Sequence, residues 1–159
     1  DFRDVLALLR KSIGSLPVVP VALVDATEVK FTDWLKTKKL PAGLALSSKN
    51  RDAQFCDAFE AGEKISYRKV DIINDITDTV LESGKFCTSL GLTVNDRLDL
   101  TYDQDGNIKH IIWPDEMCVQ NDDFEDHEAR VEADFLLMAD ELSRALATLY
   151  AAFGGECEF

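Results

Sequence analysis

Residues 86–113 alternate in polarity through three successive segments, and no other feature of the chain constrains its fold as tightly. Phe86, Thr88, Leu90, Leu92 and Val94 are interleaved with Cys87, Ser89, Gly91 and Thr93, the period of two that sets alternate side chains on opposite faces of a strand. Asn95-Asp96 has turn chemistry, after which Leu98, Leu100 and Tyr102 alternate with Arg97, Asp99 and Thr101. Asp103-Gln104-Asp105-Gly106-Asn107 turns the chain again into Ile108 to Trp113, closed by Pro114. Three strands joined by short turns predict an antiparallel meander, because adjacent hairpins are the shortest connection.

The rest of the chain supplies helices and shorter strands. Phe2, Val5, Leu6, Leu9 and Ile13 fall at helical spacing, with Arg10 and Lys11 in the last turn, Gly14 to close the helix, and Pro17 and Pro20 to prevent its resumption. This predicts a core helix followed by a rigid connection. Val21 to Val24 and Glu28 to Phe31 read as short strands, and Thr32 as the N-cap of a brief helix over Asp33 to Lys38, ended by Pro41 and Gly43. Leu44 to Leu46 predicts another strand and Ser47 to Arg51 a polar loop. Asp52 is expected to cap a helix carrying Cys56 and Phe59 up to Gly62. Ile65 to Ile72 reads as a strand, and Asn74 or Asp75 opens a helix through Ile76 and Val80 that stops near Gly84. The acidic stretch Asp122 to Glu128 leads into the longest helix, where Val131, Phe135, Met138, Leu142, Ala145, Leu149 and Ala152 repeat at 4-3 spacing. Such a stripe suits packing on the sheet, and over about three heptads it also suits a partner helix. The fold class expected is α+β, an antiparallel sheet with short helices and a long C-terminal helix packed on it.

An apolar content of 46% supports a buried core. No run of about 18 apolar residues suggests a membrane span, and no basic-apolar leader is visible, so the cytoplasm is the expected compartment. Cys56, Cys87, Cys118 and Cys157 lie far apart without a CxxC pair, which predicts reduced structural thiols and no zinc. The charge is unevenly divided. Residues 1–70 carry 12 Lys and Arg against 9 Asp and Glu, whereas residues 71–159 carry 5 against 21. A net charge of −13 repels nucleic acid at long range, but screening over roughly 10 Å leaves a local basic surface able to act.

No catalytic motif emerges. Asp103-Gln104-Asp105-Gly106 imitates part of a calcium loop, yet the EF-hand register puts Thr101 first and Ile112 where a bidentate Glu is needed, and a hairpin turn accounts for the residues. His110 and His127 lack a nucleophile setting such as GxSxG, and no Gly-rich phosphate loop is present. The acidic residues of 115–128 suit a helix N-terminus. Neither enzymatic activity nor a cofactor is expected. The candidate phosphate contacts are Arg10 and Lys11 at one helix end and Lys36, Lys38 and Lys39 at another, since phosphate contact needs positive charge but no fixed spacing. Lys64, Arg68 and Lys69 flank a strand whose charges would also protect an exposed sheet edge.

Two strings carry a family resemblance: Leu6-Ala7-Leu8-Leu9-Arg10-Lys11-Ser12-Ile13-Gly14-Ser15-Leu16-Pro17-Val18-Val19-Pro20, and Ala133-Asp134-Phe135-Leu136-Leu137-Met138-Ala139-Asp140-Glu141-Leu142 with Gly154-Gly155-Glu156 after it. They resemble the recombination-associated protein RdgC family of bacteria, in family order and near opposite ends of the chain. The resemblance covers about the C-terminal half of the family's protein, so residues 1–159 are expected to be a C-terminal portion, with a helix and proline connection in 1–20 and an α+β body in 21–159. The lack of an initiator Met accords with a fragment. The resemblance implies a non-sequence-specific double-stranded DNA-binding protein, a ring-shaped homodimer associated with the nucleoid that restrains RecA-dependent recombination. It also implies a dimer contact at Arg68, Lys69 and Val70. There Lys69 matches a family Lys, and Val70 stands where the family can carry Gln. The alternative is an acidic protein-interaction or DNA-mimic module that does not bind DNA directly.

Overall fold

The computed structural model describes residues 2–14, 21–57, 63–123 and 125–157. The alternating segments form the expected meander: β4 (Phe86–Val94), β5 (Leu98–Asp103) and β6 (Ile108–Ile112) pair antiparallel in sequence order. Two further strands extend the sheet on the other side of β4. β1 (Leu44–Leu46) pairs with its C-terminal end, and β2 (Ala53–Cys56) with its N-terminal end. β3 (Lys64–Tyr67) pairs with β2 and lies at one edge of the order β3-β2-β4-β5-β6. The fold is α+β, with an antiparallel sheet, short helices and a long C-terminal helix.

Gly91 sits where β4 changes partner from β1 to β2, and the loop between those strands closes directly onto it. Its N–H donates to the Asp52 carbonyl at 2.8 Å, and its carbonyl accepts from Ser47 N–H at 3.1 Å. A Cβ at this position would collide with the Asn50 carbonyl, so the close approach requires glycine.

Among the described residues five helices accompany the sheet. α1 (Phe2–Ile13) and α3 (Asp75–Glu82) form as their periods predict; Asn74 caps α3, its side chain accepting from Thr77 N–H at 2.8 Å. α2 (Thr27–Thr37) replaces the expected strand over Glu28 to Phe31 and the expected cap at Thr32. The reason is the helical stripe Thr27, Phe31, Trp34 and Leu35, all buried. Thr32 lies mid-helix, its hydroxyl donating to the Glu28 carbonyl at 2.7 Å and accepting from Cys87 N–H on β4 at 2.9 Å. The helix ends at Lys38, in the left-handed conformation, before Pro41 and Gly43 are reached.

Three other expectations are corrected. Ala53 to Cys56 is strand, with Ala53 and Phe55 buried and Gln54 and Cys56 half-buried, so a period of two prevails over the helix expected after Asp52; Phe59 and Gly62 lie outside the described residues. The strand expected through Ile72 stops at Tyr67, because Lys69 turns the backbone at φ +56°. Val21 to Val24 contributes one bridge, Leu23 to Glu156, that ties this segment to the chain's C-terminal end.

α4 (Asp115–Val119) was not foreseen within the acidic stretch, and it leads to α5 (His127–Ala152). α5 is anchored at its far end, where Phe153 packs against Phe31, Trp34 and Tyr102 at centroid distances of 5.6, 5.2 and 5.6 Å. Ala145 and Leu149 are buried and Leu142 packs against the core, but Val131, Phe135 and Met138 are exposed. The helix, roughly 39 Å long for its 26 residues, outruns the surface it covers. The core placement expected for α1 is also corrected: Val5, Leu9 and Ile13 are exposed. No helix among the described residues is long and apolar enough to cross a membrane.

Candidate nucleic-acid interface

The cations divide sharply by ion pairing. Every Lys and Arg of residues 71–159 has a carboxylate partner. Lys85 meets Asp57 at 2.7 Å, Arg97 meets Glu116 and Glu141 at 3.2 and 3.1 Å, Lys109 meets Asp103 at 2.7 Å, Arg130 pairs with Asp122, and Arg144 with Asp140. Earlier in the chain Lys30, Lys38 and Lys49 are paired. Arg10, Lys11, Lys36, Lys39, Arg51, Lys64, Arg68 and Lys69 have no carboxylate partner among the described residues, and all are exposed.

These cations occupy three places. Arg10 and Lys11 end α1. Lys36, Lys38 and Lys39 cluster where α2 ends, although Lys38 spends its ammonium on Asp78 at 2.9 Å. Arg68 and Lys69 follow the edge strand β3, with Lys64 at its start. Val70 beside them is exposed at 46%.

The turn carrying Arg68 and Lys69 is held by the loop between β1 and β2. Lys69 N–H donates to the Asp52 carboxylate at 3.2 Å, and Val70 N–H to the Arg51 carbonyl at 3.3 Å. This brings Arg51, which the sequence marks only as part of a polar loop, to the same turn. No local signal could have found it, since the contact spans the sheet edge.

The loop is itself fixed to the sheet. Asp99, 5% exposed, accepts from the Ser47 and Thr93 hydroxyls at 2.6 Å each, with the Lys49 ammonium at 3.7 Å. Ser47 Oγ in turn accepts from Lys49 and Asn50 N–H at 3.1 and 2.7 Å. The Asn50 amide donates to the carbonyl of His110, whose φ of +50° marks an irregularity in β6. Buried hydroxyl–carboxylate contacts of this kind hold one geometry because any loss leaves a polar group unsatisfied.

The residues weighed for other chemistry have structural surroundings. Asp103 accepts from Asn107 and Asp105 N–H and from Lys109, as a hairpin turn requires. Burial alone would raise its carboxyl, but the Lys109 and Asn107 hydrogen bonds outweigh that and hold it below the ordinary value. Burial pushes the Cys87 thiol up to about 12, so it is protonated at neutral pH. His110 and His127 are exposed. Among the described residues no group of three or more His, Cys, Asp or Glu is placed to hold a metal ion.

A family model described as "Putative exonuclease, RdgC" matches residues 2–156. The chain belongs to the RdgC family. Proteins named recombination-associated protein RdgC from Yersinia pestis (strain Pestoides F), Yersinia pseudotuberculosis (serotype O:1b, strain IP 31758) and Yersinia enterocolitica (serotype O:8) are each 40% identical over 158 residues. The alignments cover 98% of this chain and 51% of each relative, so the chain spans about half the length of those RdgC proteins. The family's two descriptions, one nuclease and one recombination-associated, leave the chemistry to be argued from this chain's own residues.

Proposed function

We propose that this chain is the phosphate-contacting and self-associating portion of a recombination-associated protein that binds double-stranded DNA without sequence preference. The observation that carries the reading is the confinement of unpaired cations to the first 70 residues, at the ends of α1 and α2 and around the β3 turn, while the cations of the acidic second half are neutralised internally. A surface of this kind gains affinity by releasing counterions from phosphate, whereas the acidic remainder faces away from the duplex. Base readout is not needed for such binding. In the arrangement the family resemblance suggests, Arg68, Lys69 and Val70 at the β3 edge meet a second subunit and help close a ring around DNA. By occupying the duplex, the ring restrains RecA-dependent strand exchange on the nucleoid. The protein acts by binding and carries out no hydrolysis.

The test is anisotropy titration of unrelated duplex sequences over a range of salt. With about three phosphate contacts from each of two subunits, log K against log salt falls with a slope near −5. Lys36→Glu with Lys39→Glu weakens all sequences equally. Salt-independent affinity, or strong preference for one sequence, overturns the reading, and shortening of the duplex in the presence of magnesium or manganese overturns its non-enzymatic part. The acidity of residues 71–159 supports the second reading, an acidic module that engages a basic protein; absence of duplex binding together with capture of a polycation would favour it.

A further inference from the structure

A cavity bounded by the start of α2, the hairpin between β5 and β6 and the end of α5 is walled by polar groups that the fold leaves without partners. Its volume is about 460 Å³, within the roughly 300–1,000 Å³ of small-molecule sites. Tyr102 is 2% exposed and Thr27 5%, and both line the cavity. Neither hydroxyl has a hydrogen-bond partner among the described residues, and a buried hydroxyl left unpaired is costly. The Tyr102 hydroxyl stands at the hairpin wall, 3.6 Å from where a Cβ on Gly106 would lie. Burial, reinforced by Tyr150 and Asp103, pushes it up to about 12, so it stays a donor at neutral pH.

The start of α2 adds further unused donors. Its N-cap, Ala26, makes no side-chain capping bond, and the first-turn N–H groups of Thr27 and Glu28 have no acceptor among the described residues. Donors at the positive end of a helix suit a carboxylate. The same cavity also carries carboxylates of its own. Asp25 is neutralised by Lys30 at 2.9 Å, whereas Glu28 and Asp105 have no cationic partner among the described residues. A simple anion would be repelled by those two carboxylates. A simple cation would leave the buried hydroxyls and the helix end unsatisfied. A molecule with an ammonium and a carboxylate on one carbon meets both needs.

We infer that this cavity binds a free α-amino acid, its carboxylate held by the start of α2 with the Thr27 and Tyr102 hydroxyls and its ammonium by Glu28 and Asp105. The lysines at the other end of α2 lie roughly 16 Å away, so the site takes its ligand without DNA.

The test adds each protein amino acid singly to the chain, reads the melting midpoint, and titrates those that raise it by calorimetry. At least one raises the midpoint and saturates at one site per chain. Its N-acetyl and carboxamide derivatives, each lacking one charge, bind at least about tenfold more weakly. Tyr102→Phe and Thr27→Val each weaken the amino acid about tenfold with unchanged circular dichroism, since ring and branch are kept. Glu28→Gln with Asp105→Asn weakens it similarly, at positions where neither side chain is fully buried. Absence of binding by every amino acid, equal affinity for either derivative, or indifference to either the hydroxyl or the carboxylate variants overturns the inference.

Discussion

At the scale of single residues, the basic turn after β3 depends on side chains that carry no positive charge. Gly91 admits the Asn50 carbonyl against β4, and Asp99 fixes the same loop through Ser47. Gly91→Ala forces the loop off the sheet and is expected to lower stability by about 1–3 kcal/mol, read from the urea midpoint. It also displaces Arg51 and Lys69, so duplex affinity falls although no cation is lost; an unchanged midpoint refutes this. Asp103 gives a prediction in pH. Its folded carboxyl lies below the ordinary 3.8, so its contribution to stability is complete above that value and is lost as pH falls through the lower folded one. Between about pH 6 and about pH 3 the wild type should lose more stability than Asp103→Asn, measured by urea unfolding at each pH. Equal losses would show that Asp103 gains nothing from Lys109 and Asn107.

At the scale of elements, α5 has two halves that one continuous pattern conceals. Leu149 is fully buried and Phe135 is 69% exposed, although the 4-3 stripe includes both. Leu149→Ala is expected to cost about 2–5 kcal/mol. Phe135→Ala is expected to change stability by less than about 0.5 kcal/mol, measured where the chain is monomeric. The reverse order in thermal unfolding would mean that the stripe packs on the sheet along its whole length, as periodicity alone suggests. Glu141 shows the same contrast among charges. It lies within a run that reads as a solvated acidic face, yet it is 5% exposed and bonded to Arg97 at 3.1 Å. Charge reversal at Asp140 leaves that bond intact, whereas Glu141→Lys sets two cations together in a buried place.

At the scale of the whole molecule, the acidic excess is an organised property. The carboxylates of the second half surround its cations, and Lys38–Asp78 and Arg97–Glu141 join positions 40 and 44 residues apart. What remains as unpaired positive charge lies at the ends of α1 and α2 and around the β3 turn, all within the first 70 residues. Neutralising a paired cation should leave DNA affinity almost unchanged, while neutralising an unpaired one lowers it. Lys109→Met compared with Lys39→Met in one anisotropy series distinguishes them, and equal losses would disprove a localised interface.

The meander of β4 to β6 and the Asn74-capped helix were determined by the sequence itself, because alternation, turn residues and caps act over a few positions. The family was legible for a similar reason, since its two strings are contiguous. Tertiary structure alone decided that Thr27 to Thr37 is one helix, where Phe31 and Trp34 meet Phe153, and that Ala53 to Cys56 is strand, where β4 offers hydrogen bonds. It also decided which lysines are unpaired, which half of α5 is covered and how Arg51 joins Lys69. Each of these is settled by contacts between residues distant in sequence, and a local period records that a face needs a partner without recording which partner the fold supplies.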